Sequence, residues 1–80
     1  MNKKEIIDIF NSIECIKKEE SKSEDLIRFS SGSDEVVFLF VNNVTLAFDE
    51  AVIDDNIRFY ISGTSTSAIA IANIETISFN

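Results

Sequence analysis

The sequence predicts an α+β fold, in which a short N-terminal helix packs on a small, mainly antiparallel sheet of five to six strands, either open or closed into a small barrel. Apolar residues recur at helical spacing near the start of the chain, whereas short segments rich in β-branched and aromatic residues make up most of the remainder. The length of 80 residues and the hydrophobic content of 45% allow one small core. We therefore expect a single domain over residues 1–80, with a helix at about 3–12 and a β body at about 25–79.

The helix is predicted from its N-terminal cap and from one apolar stripe. Asn2 and Glu5 have the spacing of a capping box, in which each side chain accepts a hydrogen bond from the backbone N–H of the other residue. One helical face then carries four apolar residues: Ile6, Ile9, Phe10 and Ile13. A longer helix would place Lys17 within this face, so we expect the helix to end near Ser12.

Residues 14–20 leave two interpretations open. They fit a weak strand, but their Lys-Lys-Glu-Glu run also fits a solvated helix end. Further along, residues 26–30 are typical of a strand, and the Ser-Gly-Ser-Asp sequence at 31–34 supplies turn residues. These features predict a β-hairpin that leads from 26–30 into a second strand at 35–41.

The strand at 35–41 is expected at the centre of the fold. Residues 36–41 are apolar at every position, which is typical of a strand that is covered on both faces. Asn42 and Asn43 then predict a turn into a strand at 44–48, whose apolar residues alternate.

The remaining segments complete the predicted β body. Residues 51–53 are ambiguous, and three further strands are predicted from their apolar residues: 57–61, 67–72 and 74–79. A Ser-Gly turn joins the first two of these strands into a hairpin. Residues 25–32 and 55–63 resemble one another and share an Ile-Arg-Phe triplet. This similarity indicates either a duplicated hairpin or two half-buried strands that use the same common β residues.

The types of residue present argue against an enzyme. The chain has no His, so its single cysteine, Cys15, lacks the imidazole that would activate it as a nucleophile, and a zinc site lacks its usual ligands. Gly32 and Gly63 stand alone in Ser-rich turns, which indicates turn formation rather than a phosphate-binding loop. We predict no cofactor and no bound metal ion.

The net charge of −7 is distributed unevenly. Residues 1–22 contain five acids and five bases, whereas residues 23–80 contain nine acids and only two bases, Arg28 and Arg58. A strongly anionic β body repels the phosphates of nucleic acids and of anionic lipids. We therefore expect no direct binding to nucleic acid or to membranes, and we interpret the two arginines as local counterions of neighbouring acids.

Most of these downstream acids form adjacent pairs at the ends of predicted strands: Glu24-Asp25, Asp34-Glu35, Asp49-Glu50 and Asp54-Asp55. Convergence of the last two pairs would offer oxygen ligands to Ca²⁺ or Mg²⁺, but their spacing matches no known loop. The simplest interpretation is that the acids are solubilising turn residues that protect strand edges. The alternative is an anionic surface that binds a basic groove on another protein, and it assigns partner binding to six acids: Asp34, Glu35, Asp49, Glu50, Asp54 and Asp55.

In size, charge and lack of catalytic residues, the chain resembles small acidic inhibitors of uracil-DNA glycosylase and many anti-CRISPR proteins, although it shares no motif with any of them. This resemblance implies a phage-type inhibitor, a DNA mimic that occupies a nucleic-acid-binding site on a host protein. A helix before several short strands also resembles SH3-like and Sm-like small barrels. That resemblance implies a structural module that forms homo-oligomers through strand edges, with its acidity serving only solubility.

A reducing, cytoplasmic setting is expected, because the lone Cys15 cannot form an internal disulfide and no secretory leader is recognised. The longest apolar runs, 36–41 and 68–72, are far shorter than the roughly 20 residues that span a bilayer. No transmembrane segment is therefore predicted.

Overall fold

The computed structural model describes residues 1–21, 26–32 and 35–79 of the chain. Within these ranges the elements follow in the order α1 (Lys3–Asn11), β1 (Lys17–Ser21), β2 (Leu26–Ser30), β3 (Val37–Val41), β4 (Val44–Phe48), β5 (Glu50–Ile53), β6 (Asn56–Ile61), β7 (Thr64–Ala70), a 3₁₀ turn (Ile71–Asn73) and β8 (Ile77–Phe79). The α+β prediction is confirmed.

The strands form two sheets rather than one. A five-stranded sheet has the order β1-β2-β5-β6-β7, and a three-stranded sheet has the order β4-β3-β8. Every pairing between described strands is antiparallel. The strands are thus more numerous than predicted, and they do not close into an SH3-like barrel.

Helix α1 begins at the capping box that the sequence predicts. The Asn2 side-chain oxygen accepts a hydrogen bond from the Glu5 N–H at 2.8 Å, and the Asn2 N–H donates to the Glu5 carboxylate at 3.2 Å. The helix ends at Asn11, close to the predicted end, and the Ser12 hydroxyl donates to the carbonyl oxygen of Ile9 at 2.6 Å. Local hydrogen bonds therefore define both ends of the helix.

The predicted helical stripe reaches the core, where it meets aromatic rings from both sheets. Three of its residues, Ile6, Phe10 and Ile13, are buried, and Ile9 is half-buried. The centroid of the Phe10 ring lies 5.0 Å from that of Phe29 on β2 and 5.7 Å from that of Phe48 on β4. The Phe48 centroid lies 5.3 Å from that of Phe59 on β6. This cluster of four buried rings joins the helix to the two sheets.

The five-stranded sheet contains two segments whose secondary structure the sequence leaves undecided. Residues 14–20 contain β1, which starts at Lys17 and pairs with β2, so the strand interpretation is confirmed for residues 17–20, whereas residues 14–16 belong to the connection from the helix. Residues 51–53 belong to β5, which lies at the centre of this sheet. The predicted hairpin of β6 and β7 is also confirmed, and its turn residues Ser62 and Gly63 have φ angles of 50° and 79°.

The two Ile-Arg-Phe triplets, at 27–29 and 57–59, occupy equivalent places on either side of β5. In both, the isoleucine lies opposite Ile53, the arginine opposite Val52 and the phenylalanine opposite Ala51. The isoleucines and phenylalanines pack against the core, so the intervening arginines face outward. The same environment on both sides of β5 therefore selects the same residue types, whether or not the two segments share an ancestor.

The predicted hairpin from 26–30 into 35–41 is wrong. Strand β2 pairs with β1 on one side and with β5 on the other, and β3 belongs to the three-stranded sheet. Because both hydrogen-bonding edges of β2 are occupied, the chain crosses to the second sheet after β2. Gly32 has the positive φ of 68° expected of a turn residue, whereas residues 33–34 of the predicted turn lie outside the described residues.

The three-stranded sheet is built on the β3–β4 hairpin. Its turn residues are Asn42 and Asn43, as predicted, and their φ angles of 49° and 65° suit a two-residue hairpin turn. The Asn42 side-chain oxygen accepts hydrogen bonds from the N–H groups of Glu75 at 2.7 Å and Thr76 at 3.1 Å. Its side-chain amide donates to the carbonyl oxygen of Asn73 at 2.8 Å. Asn42 thus fastens the segment before β8 to the hairpin.

Strand β3 is central in its sheet, as predicted, but the prediction that both of its faces are covered is wrong. Val37, Leu39 and Val41 face the core and are buried. Phe38 and Phe40 point the other way and are 57% and 38% exposed. The helix and the larger sheet enclose one face of the small sheet, and no described element packs on the other.

Candidate functional site

The predicted acidic site residues do not form one cluster. Asp49 and Glu50 lie at the start of β5, and Asp54 and Asp55 follow its end. At about 3.3 Å per residue, the strand holds the two pairs roughly 13 Å apart. Glu35 precedes β3 and is exposed, while Asp34 lies outside the described residues.

Asp49 fastens the β4–β5 junction to neighbouring strands. Its carboxylate accepts a hydrogen bond from the Ser62 N–H at 2.8 Å. Its backbone N–H donates to the Tyr60 carbonyl oxygen, and its own carbonyl oxygen accepts from the Ser31 N–H, both at 2.9 Å. These contacts give Asp49 a structural role in the turn between the two sheets, which leaves its carboxylate less available to a partner.

Glu50 and Asp54 are paired with the two arginines on the outer face of the five-stranded sheet. The Arg28 Nε lies 3.8 Å from a Glu50 carboxylate oxygen, and the Arg58 guanidinium lies 3.4 Å from an Asp54 oxygen. The other Asp54 oxygen accepts a hydrogen bond from the Asn56 N–H at 2.8 Å, as in an Asx turn. The interpretation of the arginines as local counterions is confirmed, and half-exposed pairs of this kind contribute only about 0.2–1 kcal/mol each.

Glu35 and Asp55 are the predicted site residues whose carboxylates remain open. Both are exposed, and neither makes a side-chain hydrogen bond or ion pair with any residue that the structure describes. Glu75, an acid outside the predicted pairs, is also exposed, and its backbone N–H is held by Asn42. These three carboxylates contribute unpaired negative charge at different places on the β body.

The structure brings no metal centre together from the described residues, in which no three Asp, Glu or Cys side chains lie close enough to share an ion. Cys15 is exposed in the connection between α1 and β1. The described acids therefore act as separate surface charges or as hydrogen-bond acceptors within turns.

Sequence reasoning missed an exposed apolar row on the outer face of the three-stranded sheet. It consists of Val36, Phe38 and Phe40, which are 42%, 57% and 38% exposed and alternate along β3 and the residue before it. We call this row the phenylalanine face. An apolar run is compatible with a doubly covered strand and with a strand that is exposed on one face. The sequence could have distinguished these two arrangements, because it predicts only one helix and no second element that would cover the other face of the strand.

The three-stranded sheet carries no charged side chain within β3, β4 or β8. Acids lie beside it instead. Glu35 precedes β3, and the backbone N–H of Glu75 donates to the side chain of Asn42, which follows the other end of that strand. One positive charge, the N-terminal ammonium, donates to the carbonyl oxygen of Ile74 at 2.9 Å, next to Glu75. Arg28 and Arg58, the two bases of residues 23–80, lie on the other sheet.

No helix within the described ranges is both long enough and apolar enough to cross a membrane. Comparison with protein-family models, with curated proteins and with solved structures gave no match to this chain. We therefore infer its function from the two kinds of surface described above, the open carboxylates and the phenylalanine face.

Proposed function

We propose that the chain is a small acidic binding protein that occupies a basic, nucleic-acid-binding site on another protein, in the manner of a phage-type inhibitor or DNA mimic. The supporting observation is that both arginines of residues 23–80 already pair with carboxylates. The exposed acids that the structure describes in this region, Glu35, Asp55 and Glu75, therefore have no described basic side chain of their own region to neutralise them. Carboxylates presented in this way attract lysine and arginine side chains that otherwise contact phosphates.

The geometry ranks five of the six predicted site residues by their availability, since Asp34 lies outside the described residues. Glu35 and Asp55 are exposed and unpaired among the described residues, so they are the strongest candidates for contact with a basic partner. Glu50 and Asp54 would first have to break their ion pairs with Arg28 and Arg58 before they could pair with a basic side chain of the partner. Asp49 is engaged in its turn.

The test begins with capture of a partner from a bacterial lysate and its identification by mass spectrometry. The association rate of the purified pair is then measured at ionic strengths from about 50 to about 500 mM, over which screening shortens most. We expect the rate to fall as salt rises, and we expect double-stranded DNA to compete for the partner. A rate that is independent of salt, with no competition by DNA, would contradict the proposal.

A pair of charge variants makes this test specific to the β body. Glu35→Gln combined with Asp55→Asn removes the two open carboxylates without removing a hydrogen bond or an ion pair between described residues. Glu14→Gln is the matched control, since Glu14 is an exposed acid in the charge-neutral first 22 residues. The double variant should associate more slowly than the parent protein, and the control should not.

A self-associating structural module is the second candidate, and the uncharged edge strand β4 favours it. β4 lies at the edge of its sheet and contains neither a charged residue nor a proline, which are the usual protections of an exposed edge. Pairing of β4 with β4 of a second copy would extend the sheet. Sedimentation equilibrium separates the candidates, because the inhibitor is expected to be a monomer at micromolar concentration and the module a dimer or larger assembly.

A further inference from the structure

The phenylalanine face differs from the scattered apolar residues found on most protein surfaces. Alternate residues of one strand lie about 7 Å apart on the same face, so Val36, Phe38 and Phe40 form a continuous row. Single exposed apolar residues need no explanation, whereas contiguous apolar patches mark interaction sites.

The neighbours of this row are small, which leaves the aromatic rings open to a partner. Ala47 lies directly opposite Phe38 on β4, while Phe40 has Thr45 on one side and Ser78 of β8 on the other. None of these side chains is large enough to cover a phenylalanine ring. The rings therefore stand above their surroundings on the sheet.

The row is also held in place before any partner arrives. β3 pairs with β4 along its whole length and with β8 over residues 39–41. A backbone fixed by two neighbouring strands loses little conformational freedom when a partner binds. The phenylalanine face is thus a preorganised apolar surface, unlike a loop that has to become ordered.

The size of the face shows that an interface has to extend beyond it. Two strands of five residues and one of three, at about 3.3 Å per residue and spaced about 4.8 Å apart, give a face of roughly 200 Å². A stable interface covers about 800 Å² on each partner. Any partner therefore also contacts the surroundings of the sheet, where Glu35 and Glu75 are exposed near opposite ends of β3.

We propose that the phenylalanine face docks against an apolar patch of another protein whose surrounding surface carries lysine and arginine. A second copy of this chain is the poorer occupant, because it would bring the same acids against Glu35 and Glu75 and a second net charge of −7. A basic surround instead complements both acids. This inference rests on the proposed function, which supplies the basic partner, and adds the apolar contact at its centre.

The test uses a synthetic amphipathic peptide of leucine and lysine as the probe and a leucine–glutamate peptide of the same pattern as its control. Binding to the protein is mapped by changes in amide NMR shifts. We expect the lysine peptide to shift residues 36–47 and 77–79, and the glutamate peptide to leave them unchanged. Shifts confined to the outer face of the five-stranded sheet, or no binding of the lysine peptide, would overturn the proposal.

Two substitutions then test the aromatic contact. Phe38→Thr introduces a β-branched residue that suits a strand but removes the most exposed ring, and it should weaken binding of the lysine peptide about tenfold, as expected for an interface anchor. Val44→Thr is the matched control: Val44 is 56% exposed but lies opposite Val41, on the core side of the hairpin. Equal affinity of the Phe38→Thr variant and the parent would overturn the docking surface.

The remaining outcomes separate this inference from the proposed function. Binding that weakens with Glu35→Gln and Glu75→Gln but not with Phe38→Thr would leave the acidic function in place and reject the phenylalanine face. Binding that weakens with Phe38→Thr but is unaffected by salt would reject the basic partner. A dimer in sedimentation equilibrium that Phe38→Thr dissociates would show that a second copy occupies the face, and would overturn the proposal.

Discussion

The outer faces of the two sheets differ in how much of their apolar surface is exposed to solvent. On the five-stranded sheet, Arg28 and Arg58 lie on either side of Val52, and each arginine approaches a carboxylate. Val52 is only 6% exposed, although it lies outside the main core cluster. On the three-stranded sheet, the corresponding face presents Phe38 and Phe40 to solvent.

This difference shows where the chain protects apolar surface and where it leaves it open. The aliphatic stems of two flanking arginines can cover a valine while their charged heads remain in water. No long charged side chain is available on β3, β4 or β8 to do the same for the phenylalanines. The first face therefore leaves its valine almost fully buried within one chain, whereas the second leaves two phenylalanines exposed.

The largest loss of stability is expected from a substitution in the core between the two sheets. Phe10 is fully buried and packs against Phe29 and Phe48, one from each sheet. Phe10→Ala should lower the free energy of unfolding by about 3–5 kcal/mol, through lost burial and a residual cavity. Urea unfolding measures this loss, and Phe10→Leu serves if the alanine variant does not fold. An unchanged midpoint for both variants would show that the helix does not join the sheets.

Local sequence patterns predicted the local structure well. The capping box at Asn2 and Glu5, the Asn42-Asn43 turn and the strands at 26–30 and 44–48 all lie where their patterns indicate. Each depends on residues close together in the chain, so composition and spacing contain the necessary information.

Strand order could not be predicted in the same way. β1 is too polar to give a strong strand signal, yet it occupies one edge of β2, and β5 occupies the other. With both edges taken, the expected β2–β3 hairpin could not form. Pairing between distant segments is decided by competition for strand edges, which a local pattern does not record.

The sequence predicted only part of the candidate site, because the rest depends on contacts between segments that are distant in the chain. The uneven charge could be read directly, but the hydrogen bond of Asp49 to Ser62 depends on two turns that meet in space. The exposure of Phe38 depends on which elements cover the small sheet. The assignment of the six acids to partner binding stays a prediction, with Glu35 and Asp55 now its most accessible members.

A smaller loss of stability is expected at Val52, which lies between Arg28 and Arg58 and is 6% exposed. Val52→Ala removes two buried carbon atoms, at about 0.8 kcal/mol each, so the free energy of unfolding should fall by about 1–2 kcal/mol. Val44→Ala, at a 56% exposed position, is the control and should change stability by less than about 0.5 kcal/mol. Chemical denaturation of the two variants compares them directly. Equal effects would mean that the arginine stems leave Val52 as accessible as Val44.

The smallest effect on stability is expected at the phenylalanine face, and neighbouring residues of β3 provide the contrast. Leu39 is fully buried, so Leu39→Ala should cost about 2–5 kcal/mol. Phe38, the residue before it, is 57% exposed, and Phe38→Thr introduces a β-branched residue that suits a strand. Its free energy of unfolding, measured in urea, should therefore stay within about 0.5 kcal/mol of that of the parent protein.

Measuring the Phe38→Thr variant at several protein concentrations completes this test. If the phenylalanine face is open in a monomer, the small effect should be the same at every concentration. A loss of more than about 1 kcal/mol that grows with concentration would show that a second copy already covers the ring, because association stabilises the folded state by mass action. A large loss at every concentration would instead mean that the chain itself covers Phe38. Only the concentration-independent, small effect is consistent with a surface that the monomer leaves open for a different protein.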